Sequence, residues 1–150
     1  MKIAIGNDHA AVELKKEVID YLEKNGFEVV NCGTDTAESV DYPDYAEKAC
    51  LAVIGGRADR AILMCGTGVG ISIAANKMPG IRAACCSDTF SARYARMHND
   101  ANALCFGARV VGAGLALELV EAFLHTDCEG GRHAKRVAKI TALEAKYSNN

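Results

Sequence analysis

Five short apolar runs, separated by longer segments with helical periodicity, constrain the fold of this chain more than any other feature. Each run is ended by Gly, Ser or Asn, as is typical of strands buried on both faces of a sheet. The runs span residues 3–6, 27–32, 61–65, 81–86 and 103–106. Because strands and helices alternate, the sequence predicts an α/β fold with a five-stranded parallel sheet between two helix layers, a three-layer α/β/α arrangement.

The spacing of apolar residues between the strands predicts helices. In the first, Leu14, Val18 and Leu22 recur at intervals of four residues, lysines and glutamates lie between them, and Gly26 marks the end. The other predicted helices span residues 45–54, 70–77, 89–97, 115–124 and about 132–147. No linker or repeat interrupts the alternation, so we expect a single domain over residues 1–150.

Composition excludes several functional classes. The chain has 150 residues and a net charge of -2, with no block of Lys and Arg, so we expect no nucleic-acid partner. There is no run of 18 apolar residues and no apolar segment at the amino end long enough for a signal peptide, so we expect a cytoplasmic protein with no membrane partner.

The seven cysteines point to a reduced protein. An odd count without any C-x-x-C pair fits neither a disulfide framework nor the common zinc spacings. The cysteines are at positions 32, 50, 65, 85, 86, 105 and 128. We therefore expect most of them to be reduced, buried, small apolar side chains, and we expect no metal.

A glycine loop follows the third predicted strand. Gly66, Gly68 and Gly70 lead into a helix, so backbone N–H groups can converge on a negative oxygen. The loop lacks the Gly-Lys-Ser/Thr of a P-loop, and Ile71 replaces the third glycine of a dinucleotide fingerprint. Cys65 precedes it, where N–H donors favour the thiolate that a base or nucleophile needs. The alternatives are a plain tight turn and one more buried cysteine.

A His-Asn pair lies near the end of the fourth predicted helix. The negative pole of the helix dipole favours a protonated His98, which suits a proton donor, and the Asn99 amide can donate to an oxyanion. Ordinary helix-terminus chemistry explains the pair equally well.

Basic residues open the last predicted helix. Arg132 and Arg136 are four residues apart, so their guanidinium groups share one helix face and can grip a phosphate; a solvated basic turn is the alternative. Asp8 and His9 follow the first strand, at the sheet edge where parallel α/β folds bind ligands. Asp8 is equally well placed to cap a helix.

Five separated motifs run through nearly the whole chain in a consistent order. They are Asn7-Asp8-His9-Ala10, Asp41-Tyr42-Pro43, the run from Cys65 to Lys77, the run from His98 to Asn102, and Glu129-Gly130-Gly131-Arg132-His133. Together they closely resemble the family of ribose-5-phosphate isomerase B, which also holds galactose-6-phosphate and allose-6-phosphate isomerases. The resemblance implies a Rossmann-like fold that interconverts aldose and ketose phosphates without a metal or cofactor.

The resemblance also implies a set of site residues. The catalytic residues would be Cys65, His98, Thr67 and Asp8. The substrate-binding residues would be Asp8, His9, Tyr42, Gly66, Thr67, Gly68, Val69, Gly70, Asn99, Arg109, Arg132 and Arg136.

Each role is carried over from the family. Cys65 would move a proton between C1 and C2 of the open-chain sugar, while the loop N–H groups and Asn99 hold the enediolate. His98 would open the sugar ring as a general acid, with Asp8 near the ring oxygens. The phosphate clamp would comprise His9, Arg132 and Arg136, and Arg109 would be a further ligand-binding residue.

The resemblance further implies an obligate homodimer. The site would lie between two subunits, with the His98 side supplied by the neighbouring chain, and a tetramer of two such dimers is compatible with this arrangement. We expect the helix over about 132–147 to pack at the dimer interface.

One departure from the family pattern is present, and one variable position bears on the choice of base. Ala11 and Val12 replace the Gly and aromatic residue that are common there, and Ile71 and Ser72 offer no carboxylate where some members have a glutamate base. The choice of base therefore falls on Cys65.

The expected reaction converts D-ribose 5-phosphate to D-ribulose 5-phosphate and back. A hexose 6-phosphate of the allose or galactose type stays open as the preferred substrate. Two other readings are a nucleotide-binding module that uses Asp88 on a ribose, and an inert subunit of a heteromeric isomerase.

Overall fold

In the computed structural model, which describes residues 1–148, five parallel strands form one sheet. Across the sheet they stand in the order β2-β1-β3-β5-β4. The strands are β1 (Lys2–Asn7), β2 (Glu28–Asn31), β3 (Arg60–Cys65), β4 (Ala83–Cys85) and β5 (Ala103–Gly107). This confirms the predicted parallel α/β sheet. Residues 149 and 150 of the predicted domain lie outside the described residues.

Six α-helices connect or follow the strands. They are α1 (Val12–Lys24), α2 (Tyr42–Ile54), α3 (Val69–Ala75), α4 (Thr89–Asn99), α5 (Ala113–Leu124) and α6 (Gly131–Tyr147). A short 3-10 turn at His9–Ala11 leads into α1. The helix α2 begins three residues earlier than the spacing predicted, because Pro43 has the fixed φ that suits a first helical turn.

The helices form two layers. On one face of the sheet α2 and α3 pack together, and on the other α1 and α4 both contact α5. The last helix, α6, packs against α4. Each face has its own apolar cluster, one around Leu63, Ile71 and Cys105 and one around Met64, Phe106 and Phe123.

The strands differ in burial more than the apolar runs predicted. β3 and β5 are buried along their whole length, whereas β2 and β4 are half-buried and shorter than the apolar runs around them. The reason is topological: β2 and β4 lie at the two edges of the sheet, where each has a neighbouring strand on one side only.

The cysteines are free thiols, and most are buried, as predicted. Cys50, Cys65, Cys86 and Cys105 are buried, whereas Cys85 is exposed. Burial raises the pKa of Cys50 to about 12 and that of Cys86 to about 11, so these two thiols stay protonated near neutral pH. Among the described residues, no helix is both long and apolar enough to cross a membrane.

One lysine is buried with its charge paired. The Lys15 side chain is 2% exposed, and its Nζ donates to the Thr34 carbonyl oxygen and to Asp35 Oδ1. The hydrogen bonds from Lys15 and Asn31 lower the pKa of the Asp35 carboxyl below its ordinary 3.8. This cluster fixes the segment after β2, which also receives a hydrogen bond from Asn7 at the Thr34 carbonyl.

We expect Asp35→Asn to lower the free energy of unfolding by about 1 kcal/mol at pH 7, since Asp35 itself is 73% exposed and solvent screens the pair. The folded-state pKa of Asp35 is depressed, so its contribution is fully present above the unfolded pKa and is lost as pH falls through the folded value. Urea unfolding between about pH 5 and pH 2 should therefore depend less on pH in the variant. Glu13→Gln, which breaks the exposed pair with Lys16, is the matched control and should change little.

Candidate active site

The predicted site residues fall into two clusters, and the first lies at the carboxyl ends of the three central strands. Asp8 follows β1, the Cys65 loop follows β3, and Arg109 follows β5. The strand register places Asn7 beside Met64 and Cys65 beside Gly107, so these three strand ends are adjacent. We call this group the thiol cluster: Asp8, His9, Tyr42, Arg109 and residues 65–70.

The glycine loop is shaped by close packing against β5. Gly68 has φ +80, and a Cβ at this position would lie 2.6 Å from the backbone carbonyl carbon of Phe106. Only glycine combines this left-handed backbone with such a close approach. In this conformation the Gly68 N–H donates to Cys65 Sγ over 3.1 Å, which stabilises negative charge on the sulfur. The Val69 N–H is bound instead by Thr67 Oγ1, at 3.2 Å.

Two side chains flank the loop. The Tyr42 ring lies so close to Gly70 that a Cβ there would stand 2.6 Å from Tyr42 Cζ. The Arg109 guanidinium lies against Gly66, 3.4 Å from the position of a Cβ on that residue. The Arg109 backbone N–H also donates to the Gly66 carbonyl over 3.0 Å, which ties the end of β5 to the loop.

Asp8 and His9 are held by local hydrogen bonds. Asp8 is buried, and its Oδ1 accepts from the Ala10 N–H over 2.9 Å, so the capping alternative for Asp8 is confirmed. His9 Nδ1 accepts from the Val40 N–H over 3.2 Å. A neutral imidazole that accepts at Nδ1 carries its proton at Nε2, so His9 has a donor left for a ligand oxygen.

The second cluster, the histidine cluster, comprises His98, Asn99, Glu129, Arg132 and His133. The rings of His98 and His133 stack in parallel with centroids 3.9 Å apart and an interplanar angle of 3°. Glu129 Oε2 lies 3.3 Å from His133 Nε2 and 3.9 Å from His98 Nε2. Burial, then the nearby His98 and Arg132, lower the pKa of His133, which favours its neutral form. Arg136 is exposed one turn further along α6.

Within one chain, the two clusters lie toward opposite ends of the parallel strands. α4 starts at the carboxyl end of β4 and runs back along the sheet for 11 residues, or about 16 Å. His98 and Asn99 therefore lie beside β4, and Arg82, just before the amino end of that strand, donates to the Asn99 carbonyl over 3.1 Å. Within residues 1–148, no hydrogen bond or ion pair joins the two clusters.

Sequence reasoning missed the residues that hold the end of α4. Asp100 has φ +45, which is unusual for a residue other than glycine. It ends the helix in a left-handed backbone conformation. Its carboxylate binds Arg96 Nη1 at 2.8 Å and Arg82 Nη2 at 3.0 Å. The polar run from His98 to Asn102 and the spacing of Arg96 four residues before Asp100 were the available signals, but Arg82 comes from 18 residues earlier in the sequence.

Asp88 is engaged in its own helix. Its Oδ1 accepts from the Ser91 N–H over 2.7 Å and caps α4, and this hydrogen bond lowers the pKa of the Asp88 carboxyl. In a nucleotide-binding module, the Asp88 carboxylate would bind a ribose. Here it already caps the helix.

Comparison with known proteins decides the family. A profile of the ribose/galactose isomerase family matches residues 3–140. The chain belongs to this family. It is 54% identical to Escherichia coli ribose-5-phosphate isomerase B, over 97% of each chain. It is 47% identical to a D-erythrulose-4-phosphate isomerase of Pectobacterium atrosepticum, over 96% of this chain and 95% of that one.

Solved structures of this family agree with the fold. The structure of Clostridium thermocellum ribose-5-phosphate isomerase B superposes with a TM-score of 0.96 at 56% identity, covering 98% of this chain and 99% of that one. At the start of the first helix, where the sequence departs from the family pattern, Ala11 and Val12 are both buried.

Proposed function

We propose that this sugar-phosphate isomerase interconverts D-ribose 5-phosphate and D-ribulose 5-phosphate, with Cys65 as the base and a site completed by a second subunit. The observation that carries the proposal is the thiol of Cys65 at the mouth of the glycine loop, with the Gly68 N–H directed at its sulfur over 3.1 Å. The family relationship supplies the class of substrate.

The reaction needs one mobile proton and a place for negative charge. A Cys65 thiolate removes the hydrogen from C2 of the open-chain aldose, and the electron pair moves through C2–C1 onto the C1 carbonyl oxygen to give an enediolate. The same thiol then returns the proton to C1, while the O2 proton passes to O1. The net change moves hydrogens within the sugar, so no oxidant or reductant is consumed.

The loop stabilises the enediolate. Backbone donors fixed by the packing of Gly68 against β5 need little reorganisation when negative charge develops. Thr67 is exposed in the middle of the loop, where its hydroxyl can meet a sugar oxygen, and the Tyr42 ring beside Gly70 closes one side.

Substrate anchoring falls to the basic groups. His9 presents Nε2–H, and we assign the phosphate to His9, Arg132 and Arg136, with Arg109 near the loop as a further ligand. Remote phosphate binding positions the reacting carbons. His98 acts as the acid that opens the ring, and the buried Asp8 carboxylate faces the ring oxygens.

The homodimer follows from the separation of the clusters. Because the thiol and histidine clusters lie toward opposite ends of the strands in one chain, a complete site takes its histidine cluster from a partner. The helix α6 carries exposed apolar side chains that suit an interface, namely Ile140, Leu143 and Tyr147. Both clusters are present in the chain, so an identical partner suffices.

The test is steady-state isomerisation of ribose 5-phosphate, with allose 6-phosphate, galactose 6-phosphate and D-erythrulose 4-phosphate in parallel and EDTA present. We expect the highest kcat/KM for ribose 5-phosphate. Preference for one of the other sugars would keep the isomerase and overturn the pentose assignment. No turnover of any of them by a folded dimer would overturn the proposed function as a whole.

A further inference from the structure

We propose that His98, Glu129 and His133 form a binding site for Zn²⁺ or a similar divalent transition-metal ion, and that the ion acts as an inhibitor. Two imidazoles and one carboxylate converge there, and their ligand atoms all lie within 4.8 Å of one another. This donor set, with an open fourth position, is one that zinc adopts in proteins. The proposed isomerase reaction uses no ion, so an ion bound to this cluster would be regulatory.

The distances are close to those of a bound ion. Tetrahedral bonds of about 2.0 to 2.1 Å place neighbouring ligand atoms about 3.3 Å apart. The His133–Glu129 pair is already at 3.3 Å, and the His98–Glu129 pair is at 3.9 Å. Rotation of the half-exposed Glu129 side chain shortens its distance to His98. The two rings are parallel, so their Nε2 lone pairs do not converge, and the partly exposed His98 ring must turn for both nitrogens to bind one ion.

The scaffold holds these groups in place before any ion arrives. The Glu129 N–H donates to the Met97 carbonyl over 3.0 Å, which attaches the segment before α6 to the end of α4. The Tyr94 ring packs edge-on against His98, with centroids 4.7 Å apart, and His133 is buried. The backbone of the cluster is thus fixed in advance, and the side chains of His98 and Glu129 adjust when an ion binds.

One group competes with the ion. Arg132 Nε donates to His133 Nε2 over 3.3 Å, so the lone pair that a metal needs is occupied by a cationic neighbour. Arg132 is exposed and can turn away into solvent. Once this hydrogen bond breaks, the His133 Nε2 lone pair can bind an ion.

Inhibition would follow from the role of His98, and this part rests on the proposed function. An ion on His98 Nε2 occupies the lone pair through which the ring carries its acidic proton. The His98 of an occupied site cannot then open the sugar ring.

Cobalt titration of the metal-free protein tests binding without reference to activity. Co²⁺ in a tetrahedral nitrogen and oxygen site gives visible ligand-field bands without a thiolate-to-cobalt charge-transfer band in the near ultraviolet. We expect His133→Asn and Glu129→Gln each to weaken binding by at least about tenfold. His125→Asn, at an exposed histidine outside the cluster, is the matched control and should bind as the parent does.

Two further variants test whether Arg132 competes with the ion and whether the Cys128 thiol is a ligand. Arg132→Met should bind Co²⁺ more tightly, because the competing donor is gone. Cys128→Ser should bind as the parent, although its thiol adjoins Glu129 in the sequence. A charge-transfer band that disappears in Cys128→Ser, or unchanged binding by His133→Asn, would overturn the site.

The activity measurement stands apart from the spectra. Zn²⁺ should lower isomerase turnover of the parent, EDTA should restore it, and His133→Asn should require at least about tenfold more Zn²⁺. Cobalt binding without zinc inhibition would overturn the inhibitory role while leaving the site. A protein with no isomerase activity would contradict the proposed function, and the cobalt spectra would still decide the metal site.

Discussion

Replacement of Cys65 by alanine is expected to lower kcat by about 10²- to 10⁴-fold, the usual contribution of a general base. The fold and KM should change little, because the substitution removes one sulfur atom and the phosphate is bound elsewhere. Two measurements check this: the initial rate with ribose 5-phosphate, and the incorporation of solvent deuterium at the carbon that exchanges its hydrogen. Both should fall together if the Cys65 thiol moves the proton.

Cys105→Ala is the matched control for this prediction. Cys105 lies on the neighbouring strand β5 and is fully buried, and burial raises the pKa of its thiol well above the usual value. Its loss should cost about 1 kcal/mol of stability through a small cavity and leave kcat unchanged. Parental turnover in Cys65→Ala would contradict the base assignment, and equal losses in both variants would indicate a packing effect.

The loop around Cys65 was predictable from sequence because its chemistry is local. Alternate glycines after an apolar run predict a strand that turns sharply into a helix, and the structure has Gly68 at φ +80 in that turn. The N–H to sulfur hydrogen bond follows directly from this backbone conformation. The Tyr42 contact with Gly70 was not predictable in this way, because it joins segments 28 residues apart and depends on the packing of α2 against α3.

The edges of the sheet and the end of α4 could not be predicted from local sequence patterns. Apolar runs do not reveal strand order, so β2 and β4 look like central strands in the sequence although they are half-buried edges. Asp100 adopts its left-handed conformation with two arginine partners, one of them 18 residues away, and no local pattern announces that pairing. The stacking of His98 on His133 likewise depends on how α6 folds back onto α4.

If the two clusters of one site come from different subunits, isomerase activity should depend on which variants are paired in a dimer. Heterodimers of two variants measure this dependence. A Cys65→Ala homodimer lacks every base, and a His98→Asn homodimer lacks every ring-opening acid, so both should turn over slowly. In a heterodimer of the two, carrying different affinity tags, one site combines the intact Cys65 of one chain with the intact His98 of the other. In a symmetric dimer this restores one site of two, or about half of the parental rate.

The reciprocal heterodimer supplies the decisive contrast. When a parental chain is paired with a Cys65→Ala/His98→Asn double variant, each shared site contains one damaged half, so the rate should stay near that of the single-variant homodimers. If both clusters instead acted within one chain, the outcomes would exchange: this pair would keep about half of the parental rate and the first pair would be inactive. Since His98 sits about 14 Å along α4 from the start of that helix beside the carboxyl end of β4, we expect the shared arrangement.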